Sequence, residues 1–302
     1  MGEALLAAQV TLLLGGLGYA GVADLRDREV TDRLWQVLGV VGVVLGAVAV
    51  SPGGPLPVGL WVLVGGLALQ HLFPWDDALG ARFYRFADLL EAAAYAAVIL
   101  VVAVAAVRLG VGPGQVPVPI LAVLLTVLFA RGLFELGVLY GGADAKALMI
   151  TGVLVPLFPA PLLAQSSSVA VLLRVLPFPV DVLVDAALLS IVIPIGIGLR
   201  NLARGEFEFP RGFSGYLIPV RELPDRFVWL RDPLSREGRE EPEAETSAED
   251  RAARVRAAHE LEAKGVERVW VTPQVPFLVL IALGAVAALL AGNLVLDLLA
   301  WL

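Results

Sequence analysis

The chain has no cysteine, and its 302 residues include only two histidines and two lysines. The absence of cysteine excludes disulfide bonds and cysteine-based metal centres, and it leaves the cellular compartment undecided. The histidines, His71 and His259, are too few and too far apart to suggest a metal site. The formal net charge is −7, and because no basic patch is present, nucleic acid is not expected as a partner.

Charged residues are also scarce, at 17% of the chain, whereas a typical soluble domain contains about 25%. Hydrophobic residues make up 58%, and the mean hydropathy is +0.82. A transmembrane helix needs about 20 largely apolar residues. The runs that approach this length are roughly 4–23, 34–50, 57–73, 90–108, 117–139, 145–163, 180–199 and 275–300. The expected fold is therefore an all-α, polytopic transmembrane bundle of about eight helices in the lipid bilayer.

These runs also divide the chain. We expect a six-helix core over 1–165, a seventh helix within 166–199, a soluble cytoplasmic insertion over 200–271 and a last transmembrane helix within 272–302. The run 145–163 contains three prolines. Because proline removes a backbone donor and clashes with the preceding turn, this run is expected to bend or to end early.

The soluble insertion has three parts of different composition. Residues 206–230 mix aromatic residues with glycine and proline, which predicts a small packed unit that is β-rich or irregular. Residues 236–250 are acidic with few apolar side chains, so this stretch is expected to be mobile. Residues 251–264 are rich in alanine, arginine and glutamate, which favours a short surface helix.

The distribution of basic residues predicts the orientation. Lysine and arginine concentrate in cytoplasmic loops of membrane proteins. When the loop after the first helix is placed inside, all but three of the 22 Lys and Arg fall on the cytoplasmic side. The exceptions are Arg108 and Arg174 in outer loops and Arg131 within the fifth run. We therefore expect a multi-pass protein of the cell membrane with both termini outside, whose first helix is retained.

A short polar segment, Gly141-Gly142-Ala143-Asp144-Ala145-Lys146, separates the fifth and sixth apolar runs. Glycines permit backbone conformations that other residues avoid. Asp144 is expected to open the sixth helix, where unpaired N–H groups and the helix dipole favour a carboxylate. Aspartate is also a common N-cap residue, so a tight loop with a helix cap is the simpler alternative for this residue alone.

A second acidic residue, Asp24, ends the first apolar run and precedes a dense cluster of charges. The plain interpretation of this cluster is a solvated loop with ion pairs that contribute little individually. Asp27 and Asp32 are competing carboxylates. Asp24 lies closest to the membrane boundary, so it is the better candidate for a partly desolvated role.

Asp24 and Asp144 are stronger candidates for a catalytic role together than separately, because the predicted orientation places both on the cytoplasmic side. Two carboxylates that face one water molecule divide acid and base roles, since crowding raises the pKa of one of them. The ionised member activates water and the protonated member polarises a carbonyl. This chemistry requires no metal, cofactor or covalent intermediate.

Both segments resemble the type IV prepilin and archaeal preflagellin peptidases, membrane aspartyl proteases of the GxGD class. Residues 141–146 are similar to the family's Gly-x-Gly-Asp-x-Lys, and Asp144 falls on its catalytic aspartate. Residues 24–32 resemble a second family motif, Asp-Leu-x-x-Arg-x-Ile-Pro-Asn/Asp, whose first aspartate is also catalytic. Asp24 falls on that aspartate. The resemblance implies an endopeptidase that cuts the basic leader, or class III signal peptide, of prepilin-like precursors at the cytoplasmic face.

The chain also departs from the family pattern. Ala143 replaces the second motif glycine, and because alanine tolerates positive φ poorly, a differently shaped loop is expected. Thr31 stands where proline is common. A cysteine-rich cytoplasmic segment and an N-methylating portion are missing, so the chain resembles the shorter archaeal branch. The resemblance covers about the first 165 residues and assigns no role to those that follow.

Three charged residues within or near the segment 141–146 are weaker functional candidates than the two aspartates. Arg131 and Glu135 are spaced i,i+4 in the fifth run, so they are expected to form an intrahelical ion pair or to orient Asp144. Lys146 is expected to anchor the chain at the cytoplasmic face, with phosphate binding or pairing with an acid near Asp144 as alternatives.

Two other classes of function are compatible with a membrane protein of this kind. An ion-coupled transporter or channel uses acids in the membrane, although its polar groups are expected at mid-membrane and often in paired repeats. A non-catalytic scaffold would bind a partner through the soluble insertion, and it would not need the two aspartates.

Overall fold

The computed structural model describes residues 2–73, 84–109, 117–139, 141–159, 176–230, 247–295 and 298. Most of these residues are helical. The helices that precede the first strand are α1 (Gly2–Asp27), α2 (Asp32–Val50), α3 (Pro55–Gln70), α4 (Tyr84–Leu109), α5 (Pro117–Glu135), α6 (Gly142–Leu154), α7 (Phe178–Ser190) and α8 (Val192–Ala203). They are followed by α9 (Ser247–Ala263) and α10 (Phe277–Ala291).

Among the described residues, five helical stretches are long and apolar enough to cross a membrane by length and composition. They are Gly2–Asp27, Asp32–Gly53, Leu89–Arg108, Val118–Glu135 and Phe178–Ala203. The helices Pro55–Gln70 and Phe277–Ala291 are apolar but shorter. A membrane protein rich in helices is therefore confirmed, and the number of eight spans stays a prediction.

The sixth apolar run ends early, as its prolines predict. Helix α6 stops at Leu154, and Val155 adopts φ −134° and ψ 81°, outside the helical region. Pro156 then follows, and a proline at this point cannot continue the hydrogen-bond ladder. Leu157 pairs with Pro177 in an isolated antiparallel bridge instead.

The chain divides into two compact units. The first comprises Met1–Val22, Val30–Leu188 and Phe277–Leu302. Its core is formed where α2, α3, α5 and α6 pack together, and it includes Val43, Trp61 and Val127. The Trp61 ring lies directly over Gly46, where an added Cβ would clash with it, and its indole N–H donates to the Val43 carbonyl at 3.0 Å. A small residue on α2 thus lets α3 approach closely.

The second unit comprises Ala23–Glu29 and Leu189–Pro276. It contains the strands β1 (Tyr216–Pro219), β2 (Val228–Leu230) and β3 (Arg268–Pro273), which form an antiparallel sheet in the order β1-β3-β2. In the register, Ile218 faces Val269 and Leu230 faces Val271. Alternate side chains of β3 are buried, and they pack against Ala258 and Leu261 of α9. This alternation is the pattern of a sheet with one buried face.

This sheet shows that all-α is too narrow a description of the fold. The packed unit expected within the insertion is present, but its central strand, β3, lies after the helical stretch and reaches Pro273. The surface helix expected near 251–264 is present as α9, which begins slightly earlier, at Ser247. Of the stretch expected to be mobile, 236–246 lies outside the described residues, and 247–250 belongs to α9. The four-part functional division of the chain stays a prediction.

Candidate active site

Asp144 is the third residue of α6, because the helix begins at Gly142 and its N-cap is Gly141. The interpretation of Asp144 as the cap residue is therefore wrong. Its carboxylate nevertheless lies within the first turn, where the partial positive charge of the helix N-terminus favours an ionised acid. This position stabilises the carboxylate form without using the side chain as a cap.

Gly141 is needed for space rather than for an unusual backbone conformation. Its φ is −97° and its ψ is 126°, which any residue adopts. A Cβ at Gly141 would lie 3.0 Å from Oδ2 and 3.4 Å from Cγ of Asp144, so the carboxylate folds back over this glycine. Ala143 is helical, and Gly142 does not have a positive φ. Alanine therefore fits the backbone at this position without a positive φ, and a loop shaped differently from that of the family stays a prediction.

Asp24 lies in the last turn of α1, which continues to Asp27. Its side chain is only 16% exposed. The competing carboxylates are more open to solvent, since Asp27 is exposed and the Asp32 side chain is 43% exposed. Asp24 is thus the most desolvated of the three, as its position beside the apolar run predicts.

Arg28 is the charged neighbour of Asp24. Its guanidinium Nη1 lies 3.9 Å from Oδ1 of Asp24, and its side chain is 17% exposed. Burial lowers the pKa of Arg28, and the negative charge of Asp24 raises it. Arg28 also has a φ of 58°, a left-handed conformation that ends α1. Such a conformation is uncommon for a residue with a side chain.

The last residues of the two motifs meet in an ion pair. Lys146 Nζ lies 2.5 Å from Oδ1 of Asp32, the first residue of α2, and the Lys146 side chain is 23% exposed. Lys146 therefore pairs with an acid, which was one of the alternatives for this residue. The acid belongs to the first motif, 114 positions away in sequence.

Arg131 and Glu135 form the expected intrahelical ion pair, with Nη2 and Oε1 2.5 Å apart. The Arg131 guanidinium also lies over the ring of Phe134, 5.9 Å from its centroid. Phe134 is in turn the neighbour of Gly142, since a Cβ there would lie 4.0 Å from Cε2 of this ring. The end of α5 therefore approaches the start of α6.

Two polar groupings were not found from the sequence. The His71 Nε2 atom is hydrogen-bonded to the Tyr95 hydroxyl, with Glu91 3.9 Å away. Separately, Asp181 and Asp185 are fully buried on α7. Their Oδ1 atoms accept hydrogen bonds from Asn293 Nδ2 (2.7 Å) and from the Leu294 backbone N–H (3.0 Å). These partners are distant in sequence, so no local pattern indicates them.

Asp24 belongs to the second compact unit, and Asp144 to the first. Each carboxylate is set against a helix end, and each can act in proton transfer from that position. Among the residues that the structure describes, no group of three or more His, Asp or Glu side chains lies together as a metal site requires.

Comparisons with known proteins point to one family. The family model described as Archaeal Peptidase A24 C-terminus Type II matches residues 209–294. The preflagellin peptidase of Methanocaldococcus jannaschii is 28% identical over 169 residues, which cover 53% of this chain and 65% of that protein. The chain thus spans just under two thirds of the length of this relative.

Both comparisons support the archaeal preflagellin peptidase family, so the resemblance drawn from the motifs is confirmed. They also extend it. The family model covers the sheet, α9 and α10, whereas the motif resemblance ended near residue 165 and assigned no role to the later segment. The soluble segment and the last apolar helix are therefore similar to the C-terminal part of archaeal peptidases of this class.

Proposed function

We propose, from a chain that is similar to archaeal preflagellin peptidases in its motifs and in its C-terminal segment, that this protein is a membrane aspartyl endopeptidase. Its substrates are prepilin-like or preflagellin-like precursors, in which a short basic leader with a class III signal sequence precedes an apolar helix. Cleavage takes place at the cytoplasmic face of the cell membrane. The net negative charge of −7 suits the recognition of a basic leader.

Asp24 and Asp144 carry the reaction in this proposal. One carboxylate is ionised and removes a proton from water, which attacks the scissile carbonyl carbon. The other is protonated and donates its proton to the carbonyl oxygen, so that a neutral tetrahedral intermediate forms. Proton return to the leaving amine then releases the leader. Before substrate binds, the helix N-terminus at Asp144 and the guanidinium beside Asp24 each favour an ionised carboxylate. When both carboxylates face one water molecule, repulsion between their like charges leaves one of them protonated, and that one is the proton donor.

The observation that carries the proposal is the ion pair of Lys146 with Asp32. It joins the last residue of one motif to the last residue of the other, although the motifs lie on different helices. The helices α2 and α6 pack against each other, and this ion pair connects the ends of the two motifs where they do so. The contact supports a joint function of the two motifs.

Replacement of either aspartate tests the proposal. Asp24→Asn and Asp144→Asn keep the shape of the side chain but remove its proton chemistry, so cleavage of a co-reconstituted preflagellin-like precursor should fall by roughly 10²–10⁴-fold. The reaction is followed by the shift in precursor mass. Asp27→Asn, which changes an exposed carboxylate in the same turn, is the matched control and should cleave normally.

Normal processing by Asp24→Asn or Asp144→Asn, at normal abundance in the membrane, would overturn the aspartyl mechanism. Ion flux into proteoliposomes that depends on Asp144, with no proteolysis, would favour the transporter instead. A variant lacking the aspartates but retaining full biological function would favour the scaffold.

A further inference from the structure

The segment that carries Asp24 belongs to the second compact unit, which also contains the sheet and α9. Residues Ala23–Glu29 form a compact unit with Leu189–Pro276, whereas the rest of α1, up to Val22, packs with the helices of the other unit. The end of α1 therefore packs with the second unit, and Arg28, just after it, contacts Phe227 of that unit. This gives the C-terminal soluble segment a direct structural connection to one proposed catalytic residue.

Arg28 makes that connection. Its guanidinium lies 3.9 Å from the Asp24 carboxylate on one side and 5.2 Å from the centroid of the Phe227 ring on the other. A cation within about 6 Å of an aromatic centroid is attracted by the negative face of the ring. Neither Nε nor Nη1 of Arg28 donates a hydrogen bond to the chain as far as the structure describes it. The ring and the carboxylate are thus two contacts that help to locate this cation.

The backbone conformation of Arg28 agrees with a use for its side chain. The residue after a helix commonly adopts a left-handed conformation, and glycine is preferred there because it has no Cβ. Arg28 adopts this conformation with a φ of 58°. A glycine would end α1 without strain, so the strain at Arg28 is tolerated for a cation at this position.

Phe227 is itself firmly held. Its carbonyl accepts the backbone N–H of Gln274 at 3.0 Å, directly after β3. The Gln274 side-chain amide donates to Asp250 of α9 at 2.8 Å, and Asp250 also accepts from Arg254 at 2.9 Å. The Arg254 guanidinium lies 5.6 Å from the Phe227 centroid. Both guanidinium groups thus lie close to the Phe227 ring, and that of Arg28 also lies 3.9 Å from the Asp24 carboxylate.

We propose that Phe227 is a positioning residue for catalysis: its ring holds Arg28, and Arg28 holds the Asp24 carboxylate. The second compact unit, which contains the sheet, thereby orients one of the two aspartates. This inference rests on the proposed function, because it assigns a purpose to Asp24. Weakening the contact between Phe227 and Arg28 leaves Asp24 in place but less well oriented, so the loss falls on kcat rather than on KM.

The test compares two replacements of the ring in full-length protein reconstituted with a preflagellin-like precursor. Phe227→Leu keeps an apolar side chain but removes the aromatic face, and kcat should fall roughly tenfold. Phe227→Tyr keeps the face and should retain near-normal kcat. Equal activity of Phe227→Leu and the unmodified protein overturns the inference. Equal losses for the leucine and tyrosine variants also overturn it, because they indicate a packing role only.

A second variant serves if Phe227→Leu disturbs the fold. Arg28→Gln removes the cation and leaves the ring in the sheet unit, and it should reproduce the loss in kcat. The double variant should be no slower than either single one, because both remove the same contact. Additive losses overturn the inference. Asp24→Asn distinguishes failure of the proposed function from failure of the positioning role. If Asp24→Asn cleaves the precursor normally, the proposed function fails. If Asp24→Asn is inactive while Phe227→Leu is fully active, only the positioning role of Phe227 fails.

Discussion

At the residue scale, the Gly141–Asp144 contact shows how a missing side chain shapes the site. The carboxylate of Asp144 occupies the space beside Gly141 that a Cβ would need. Gly142 has a different surrounding, since the nearest atom to a Cβ there is the Phe134 ring, at 4.0 Å. Gly141, the first glycine of the motif, and Gly142, at its variable position, therefore have different surroundings, and substitution of each by alanine distinguishes their roles.

Gly141→Ala should displace the Asp144 carboxylate by a few tenths of an ångström. Cleavage should fall by roughly 10–100-fold, because small displacements of a catalytic group are costly, while the protein remains folded. Precursor cleavage and thermal unfolding of the purified variant measure the two effects. Gly142→Ala is the control and should have a much smaller effect, since its Cβ makes only an ordinary contact. Equal losses for the two variants would contradict this role of Gly141.

At the element scale, the contact of α7 with α10 is unusually close. A Cβ at Gly284 of α10 would lie 2.5 Å from the Val182 carbonyl oxygen and 2.8 Å from the Ala186 backbone nitrogen. Both atoms belong to the backbone of α7, so no side-chain rotation relieves the clash. The buried Asp181 and Asp185 face the chain just after α10. Small residues and buried hydrogen bonds thus hold these two helices together, as is common between helices in membranes.

Gly284→Ala should force α7 and α10 apart and destabilise the protein by about 1–3 kcal/mol. The midpoint of thermal unfolding in detergent should fall accordingly. Gly59→Ala on α3 provides the control, because no atom lies within 4 Å of its added Cβ, and alanine is the better helix former. An unfolding midpoint for Gly284→Ala equal to that of Gly59→Ala would show that α7 and α10 do not pack as closely as described.

At the scale of the whole molecule, the cysteine-free sequence is an advantage for testing orientation. A single introduced cysteine is the one reactive thiol in the protein, so its labelling reports the side of the membrane directly. Ser51 is exposed between α2 and α3, and Lys264 is exposed after α9. The charge distribution places the first outside and the second in the cytoplasm.

Ser51→Cys should therefore react with a membrane-impermeant maleimide in intact cells. Lys264→Cys should react only after the membrane is permeabilised, because the charge distribution predicts that this segment is cytoplasmic. Labelling is measured as the mass shift of the purified protein, and a denatured sample confirms that each thiol can react. The opposite pattern would place the aspartates on the outer side and remove the basis for cleavage at the cytoplasmic face.

Several features could be predicted from the sequence because they are local. The apolar runs, the proline end of α6 and the spacing of Arg131 and Glu135 each lie within a few turns of one helix. The alternation in residues 268–273 was also readable as a strand, and it indicates the sheet that an all-α interpretation omits. The start of α6 was harder to place, since Asp144 is a good cap residue and the two glycines before Ala143 are poor helix formers.

The sequence by itself determined that this chain enters a membrane and which aspartates accompany its two motifs, because hydropathy and motif spacing are properties of short segments. Only the tertiary structure decided that Lys146 pairs with Asp32, that Gly141 makes room for a carboxylate, and that Phe227 contacts Arg28. Arg28 and Phe227 are brought together by the path of the chain through β2, β3 and α9. No periodicity along the sequence encodes such a contact, since it depends on how distant elements pack.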